Sequence, residues 1–104
     1  MSVMPDDGPI TSEFAGDPDM AILIAEFVAS LPGRAHAILD RINQGAIEQA
    51  RTMAHQLKGA GGGYGFPQVT DAARAVDLAI RERRIDDAQL AAQALIALCT
   101  RVVP

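Results

Sequence analysis

Apolar residues recur along this chain at intervals of three and four, the spacing of one helix face. No stretch sustains the period-two alternation of a strand. The first stripe is Met20, Leu23, Ile24, Phe27, Val28 and Leu31. Asp17-Pro18-Asp19 precedes it, giving a cap, a proline for the first helical position and a negative charge for the positive dipole end. Pro32-Gly33 is expected to interrupt this helix. A second helix then runs from about Arg34 to Gln44, with Ala35, Ile38, Leu39 and Ile42 inward, and Gly45 stops it. A third begins near Ala46 and turns Ile47, Ala50, Ala54, Leu57 and Gly61 to the core. Phe66-Pro67 opens a fourth, with Val69, Ala72, Ala73, Val76 and Ile80 inward and Arg81, Arg83 and Arg84 at its end. The fifth carries a start signal in Asp86 and Gln89, a capping-box pair, with Ile85 and Leu90 as its staple. Its stripe is Ala91, Ala94, Leu95, Leu98 and Val102.

Short connections between amphipathic helices predict an all-α fold, an antiparallel up-and-down bundle. Nineteen alanines agree with helix. At 104 residues the chain is one domain, too short for a kinase, a dinucleotide-binding fold or an α/β barrel. Residues 1–16, rich in acid, proline and glycine, read as a loosely draped arm that Phe14 tacks to a bundle spanning 17–104. The single cysteine, Cys99, lies among leucine and alanine and reads as a small core residue. No apolar run reaches the roughly 20 residues of a membrane span, and the N-terminus has no signal-peptide pattern. A cytoplasmic protein without membrane contact is expected.

The net charge of -4 argues against nucleic acid, as does the presence of only four aromatic residues. That charge is unevenly spread. Residues 1–19 hold five acids and no base, so eight acids and nine bases remain in the other 85 residues, or +1. Between Gln49 and Thr70 there is no acid at all, only Arg51 and Lys58, the one lysine of the chain.

That basic segment also breaks the helical rules. In Ala54-His55-Gln56-Leu57-Lys58-Gly59-Ala60-Gly61-Gly62-Gly63-Tyr64-Gly65, five glycines fall within seven residues. Each costs about 1 kcal/mol in a helix relative to alanine, so local rules leave helix and flexible loop equally open. If the helix continues, His55 points about 120° from the apolar stripe, toward solvent. Arg51 then lies at i−4, Lys58 at i+3, Gly59 at i+4 and Gly62 at i+7. Two cations would flank an exposed imidazole, and glycines would let another protein come close. An isolated exposed histidine is ordinarily just a surface residue. His36, which lacks the glycines and the lysine, is read as structural. No ligand spacing around His55 suggests a metal site, and no P-loop or Rossmann turn is present.

The stretch from Ala54 to Gly59, with Gly65, Val69 and Ala73 at ten, fourteen and eighteen residues after His55, resembles the histidine-containing phosphotransfer (HPt) domains of two-component phosphorelays. The resemblance covers about residues 18–102. It implies a four-helix bundle with an additional N-terminal helix and a third helix that continues to about Gly63. It implies that His55 accepts a phosphoryl group from a receiver-domain aspartate, and that Lys58 stabilises the phosphoryl oxygens. Arg51 is expected to add electrostatic help and Gln56 a hydrogen bond. Gly59 and Gly62 would give the partner access, and Tyr64 and Phe66 would form an apolar docking rim. The chain itself would bind no cofactor, Mg²⁺ being expected on the receiver. Receivers or a hybrid histidine kinase are the expected partners, and a monomer is expected. The competing readings are a module of the same shape that docks to a kinase or receiver without transferring phosphate, and a plain helical interaction protein.

Overall fold

A computed structural model describes residues 8–104. Among them are four helices: α1 (Ala21–Asn43), α2 (Ile47–Gly63), α3 (Pro67–Arg81) and α4 (Ile85–Cys99). Connections of three residues make sequential helices antiparallel. Packing runs α1–α2, α2–α3, α3–α4 and α4–α1, which closes the ring of a four-helix bundle. The stripes meet in one core around Leu31, Ile38, Leu57, Phe66, Val69, Val76 and Leu95. The all-α bundle is therefore as expected, but an additional N-terminal helix is absent among the described residues.

The two helices predicted on either side of Pro32-Gly33 are one. Pro32 lies inside α1, where it withholds the N–H that Val28 would accept. The ordinary cost is about 3 kcal/mol. Both Pro32 and Gly33 are exposed, so the defect faces water. Phe27, Leu31, Ala35 and Ile38 stay in phase across it and are buried, which offsets the loss. As one helix of 23 residues, α1 reaches membrane-spanning length, with a mean hydropathy of 1.4 in its most apolar window. This corrects the expectation that no apolar run is long enough. Its stripe from Ile24 to Ile42 is nevertheless buried inside the bundle, against α2 and α4.

The start signal at Asp17 is displaced too. Asp19 N–H donates to Asp17 Oδ1 at 2.9 Å and Met20 N–H to Asp17 C=O at 3.0 Å, a local turn before α1. In α4 the buried face is Ala88, Ala92, Leu95 and Cys99. The predicted phase was therefore rotated, and Ala94 and the staple residue Leu90 are exposed. Asp86 sits in the first turn and is not the cap.

The first three helices end alike. Backbone bonds Ala46 N–H to Arg41 C=O, Phe66 N–H to Gly61 C=O and Arg84 N–H to Ala79 C=O, at 2.8 to 2.9 Å, close Schellman-type turns. The left-handed residue is Gly45 in the first (φ 79°), Gly65 in the second (φ 84°) and Arg83 in the third (φ 61°). A side chain in that conformation costs about 1 kcal/mol. Arg83→Gly is therefore expected to raise the unfolding free energy by about 0.5–1 kcal/mol, less than the full strain because glycine also frees the unfolded chain. Thermal unfolding measures it, and an unchanged or lower Tm would show that Arg83 sits there without strain.

The acidic arm is not loosely draped over the part that is described; its residues 1–7 lie outside the described residues. Ile10 is buried and pairs with Val102 as an isolated bridge. Ile10 N–H donates to Arg101 C=O at 2.8 Å, and Val103 N–H donates to Ile10 C=O at 2.9 Å. Ser12, also buried, donates from Oγ to Tyr64 C=O at 2.6 Å, and Glu13 N–H donates to Gly65 C=O at 2.8 Å. The arm is thus a strap across the end of α2. Ile10 and Ser12, each 5% exposed, seat it more deeply than Phe14 at 40%.

Candidate functional site

Despite its glycines, α2 runs to Gly63. Tertiary contact outweighs local propensity here. Gly61 is buried under the start of α3, where a Cβ would come within 2.8 Å of Thr70 Oγ1 and 2.9 Å of its backbone nitrogen. Thr70 Oγ1 donates to Lys58 C=O at 2.6 Å, tying the two helices at that level. Glycine at 61 is thus a requirement of close packing. At Gly59 and Gly63 a Cβ would meet nothing within 4 Å.

His55 projects from α2 with 64% of its side chain exposed, the outward direction expected from the stripe. The unexpected member of the site is Asp77 of α3, whose side chain is only 3% exposed. Its Oδ2 lies 3.4 Å from Lys58 Nζ, a hydrogen bond, and 3.7 Å from His55 Nδ1. The second distance is too long for a hydrogen bond, and a small rotation of the exposed imidazole would close it. The other oxygen, Oδ1, is buried without a hydrogen-bond partner among the described residues. The locally +2 segment read from the sequence therefore does not stand unopposed. A carboxylate from the neighbouring helix balances Lys58 and faces the Nδ1 edge of the imidazole.

The remaining predicted residues separate. Arg51 is turned back along α2 to Glu48, 3.3 Å away, and still lines a depression of about 310 Å³ with Thr52, His55 and Gln56. Gln56, Gly59 and Gly62 are exposed on α2. Tyr64 is half-buried, its ring stacked on Phe27 with centroids 4.5 Å apart. Phe66 cannot be part of a docking rim. It is fully buried and stacks on Phe27, with ring centroids 5.9 Å apart. Its place directly after Gly65 turns it inward as the chain enters α3. His36 lies exposed on α1. Burial pushes the Cys99 thiol up to about 11, which suits a core residue and not a nucleophile. Among the described residues, no three His, Cys, Asp or Glu side chains come together as a metal site would require.

Residues 22–103 match the family model of the Hpt domain, the whole bundle with the histidine in its second helix. This chain belongs to the Hpt-domain family. No curated protein and no solved structure matches it. Hpt domains carry out histidine phosphotransfer in phosphorelays and interact there with receiver domains and histidine kinases.

Asp77 is the member of this Hpt domain's site that the sequence reading missed. A signal was present: it is the one acid set within the apolar stripe of α3, directly after Val76 and three residues before Ile80. An acid on a buried helix face needs a partner.

Proposed function

We propose that this Hpt domain is a phosphate shuttle. Its His55 would accept a phosphoryl group from the aspartyl phosphate of one receiver domain and pass it to another. The observation that carries this reading is the grouping of an exposed imidazole, a lysine one turn on, and a buried carboxylate behind Nδ1.

The chemistry follows from those positions. With its proton on Nδ1, facing Asp77, the imidazole keeps the Nε2 lone pair for attack. The Nε2–P bond forms as the P–O bond to the receiver aspartate breaks, and that electron pair leaves on the carboxylate. The imidazole acquires positive charge as it bonds, and the Asp77 carboxylate stabilises it from behind. Asp77 is in this sense a positioning residue. Lys58, near enough to leave Asp77 for an incoming oxygen, would balance phosphoryl charge as a compact cation. Most of the acceleration would come from positioning and charge, as is usual for a loose phosphoryl transition state. Mg²⁺ is assigned to the receiver. Gln56 and Arg51 line the approach, and the open faces at Gly59 and Gly62 leave room for the partner, with the exposed part of Tyr64 at its margin.

The test is transfer of labelled phosphate from phosphorylated receiver domains to the wild type and to His55→Gln. Acid-labile, base-stable label on the wild type, absent from the variant, is expected. Equal labelling of both would overturn the assignment of His55. A wild type that binds receivers but never takes label would favour a docking module.

A further inference from the structure

A second cleft lies one to two helical turns below His55, and Arg51 joins it to the depression beside the histidine. It has a volume of about 510 Å³ and sits between the start of α2 and the α3–α4 turn. Its floor is apolar, made by buried Ile80 with half-buried Ile47 and Ile85. Its walls carry Arg51, Arg81 and Arg83 against one acid, Glu48. Glu48 is taken by Arg51, and among the described residues neither Arg81 nor Arg83 has a carboxylate within ion-pair distance. Arg83 is also the residue held in the left-handed conformation at a turn where the two equivalent positions are glycine. Local structure prefers glycine there, so the fold does not account for the arginine.

We propose that this cleft is a second docking point for the receiver domain that exchanges phosphate with His55. An acidic segment of that receiver would pair with Arg81 and Arg83 over the apolar floor. This rests on the shuttle reading of His55 and adds where, and by what chemistry, the partner is held. Three observations select a protein as the occupant. The first is continuity, since Arg51 borders both depressions. The second is reach. A standard interface covers about 800 Å² on each partner, a disc of radius about 16 Å. Ile47 is eight residues from His55, about 12 Å along the helix, inside a footprint centred on the histidine. The third is charge. Unpaired arginines beside an apolar floor fit carboxylates on a surface that is itself acidic around its phosphorylated aspartate, and such pairs steer encounter and set orientation.

The experiment measures transfer from receiver domains of the same genome, loaded with acetyl phosphate, as a function of receiver concentration and ionic strength. Arg83→Gly is the informative variant, because it relieves backbone strain while removing the charge. A Tm above the wild type's is expected together with a KM for receiver raised roughly threefold to fivefold. The loss should be largest at low ionic strength. Arg81→Glu with Arg83→Glu should raise KM at least about tenfold. An unchanged KM in both variants, with label still lost in His55→Gln, overturns the cleft and leaves the shuttle standing. Failure of every receiver to label the wild type overturns both. A dimer that the double variant disrupts, with KM untouched, would assign the cleft to a second copy of this chain and overturn the receiver.

Discussion

Lys58→Ala is expected to destabilise the fold by about 2 kcal/mol and to slow phosphotransfer roughly 10- to 100-fold. The stability loss comes from what is left behind. Asp77 is buried, and among the described residues one of its oxygens has no partner and Lys58 is the only group hydrogen-bonded to the other. With the lysine gone, the carboxylate keeps only an imidazole 3.7 Å away that is mostly in water. Breaking a fully buried pair costs about 3–5 kcal/mol; the lysine here is 25% exposed, which reduces the figure. The reverse change is milder. Asp77→Asn removes the buried charge and leaves Lys58 free to rehydrate, so stability should stay within about 1 kcal/mol of wild type. Transfer should still fall by a comparable factor, because the developing imidazolium loses its counter-charge. The double variant should recover most of the stability lost in Lys58→Ala and none of the rate. Urea unfolding and receiver-to-histidine transfer rates measure the two arms. Were Lys58→Ala as stable as the wild type, Asp77 would not depend on the lysine and the charge cluster would have to be redrawn.

Gly65→Ala should destabilise by about 3 kcal/mol, on the order of 10–20 °C in Tm for a domain of this size. Two costs add. The residue sits at φ 84°, where a side chain costs about 1–2 kcal/mol. In addition, the new Cβ would collide with Ser12 Oγ and stand 2.9 Å from both Glu13 N and Phe14 Cδ2. The strap would have to lift, and the bonds from Ser12 and Glu13 to the end of α2 would stretch. Gly45→Ala is the internal control. Its φ is 79°, but nothing lies within 4 Å of the added atom, so only the backbone cost of about 1 kcal/mol is expected. Thermal melts of the two variants separate the terms. Equal losses would mean that the N-terminal strap is not seated on Gly65.

Much of the site was readable because its members lie within one helical turn of each other. His55 and Lys58 share a face of α2 by spacing alone, and the outward direction of His55 follows from Ala54 and Leu57 pointing in. What escaped came from outside that turn. Asp77 is 22 residues away and meets His55 only because α2 and α3 pack side by side. Phe66, expected on the docking rim, is swung into the core by the turn at Gly65.

The same division runs through the whole chain. Periodicity, proline at the start of α3 and glycine after α1 are local matters, decided by backbone sterics and by which side chains share a face, so they could be read in order from the residues. That α1 runs through Pro32, that α2 keeps its glycines helical, that Ile10 is pinned by the opposite end of the chain and Ser12 by the end of α2 are decided by burial and by bonds between distant segments. Those energies depend on which surfaces meet, and that is defined only when the four helices have closed on one another.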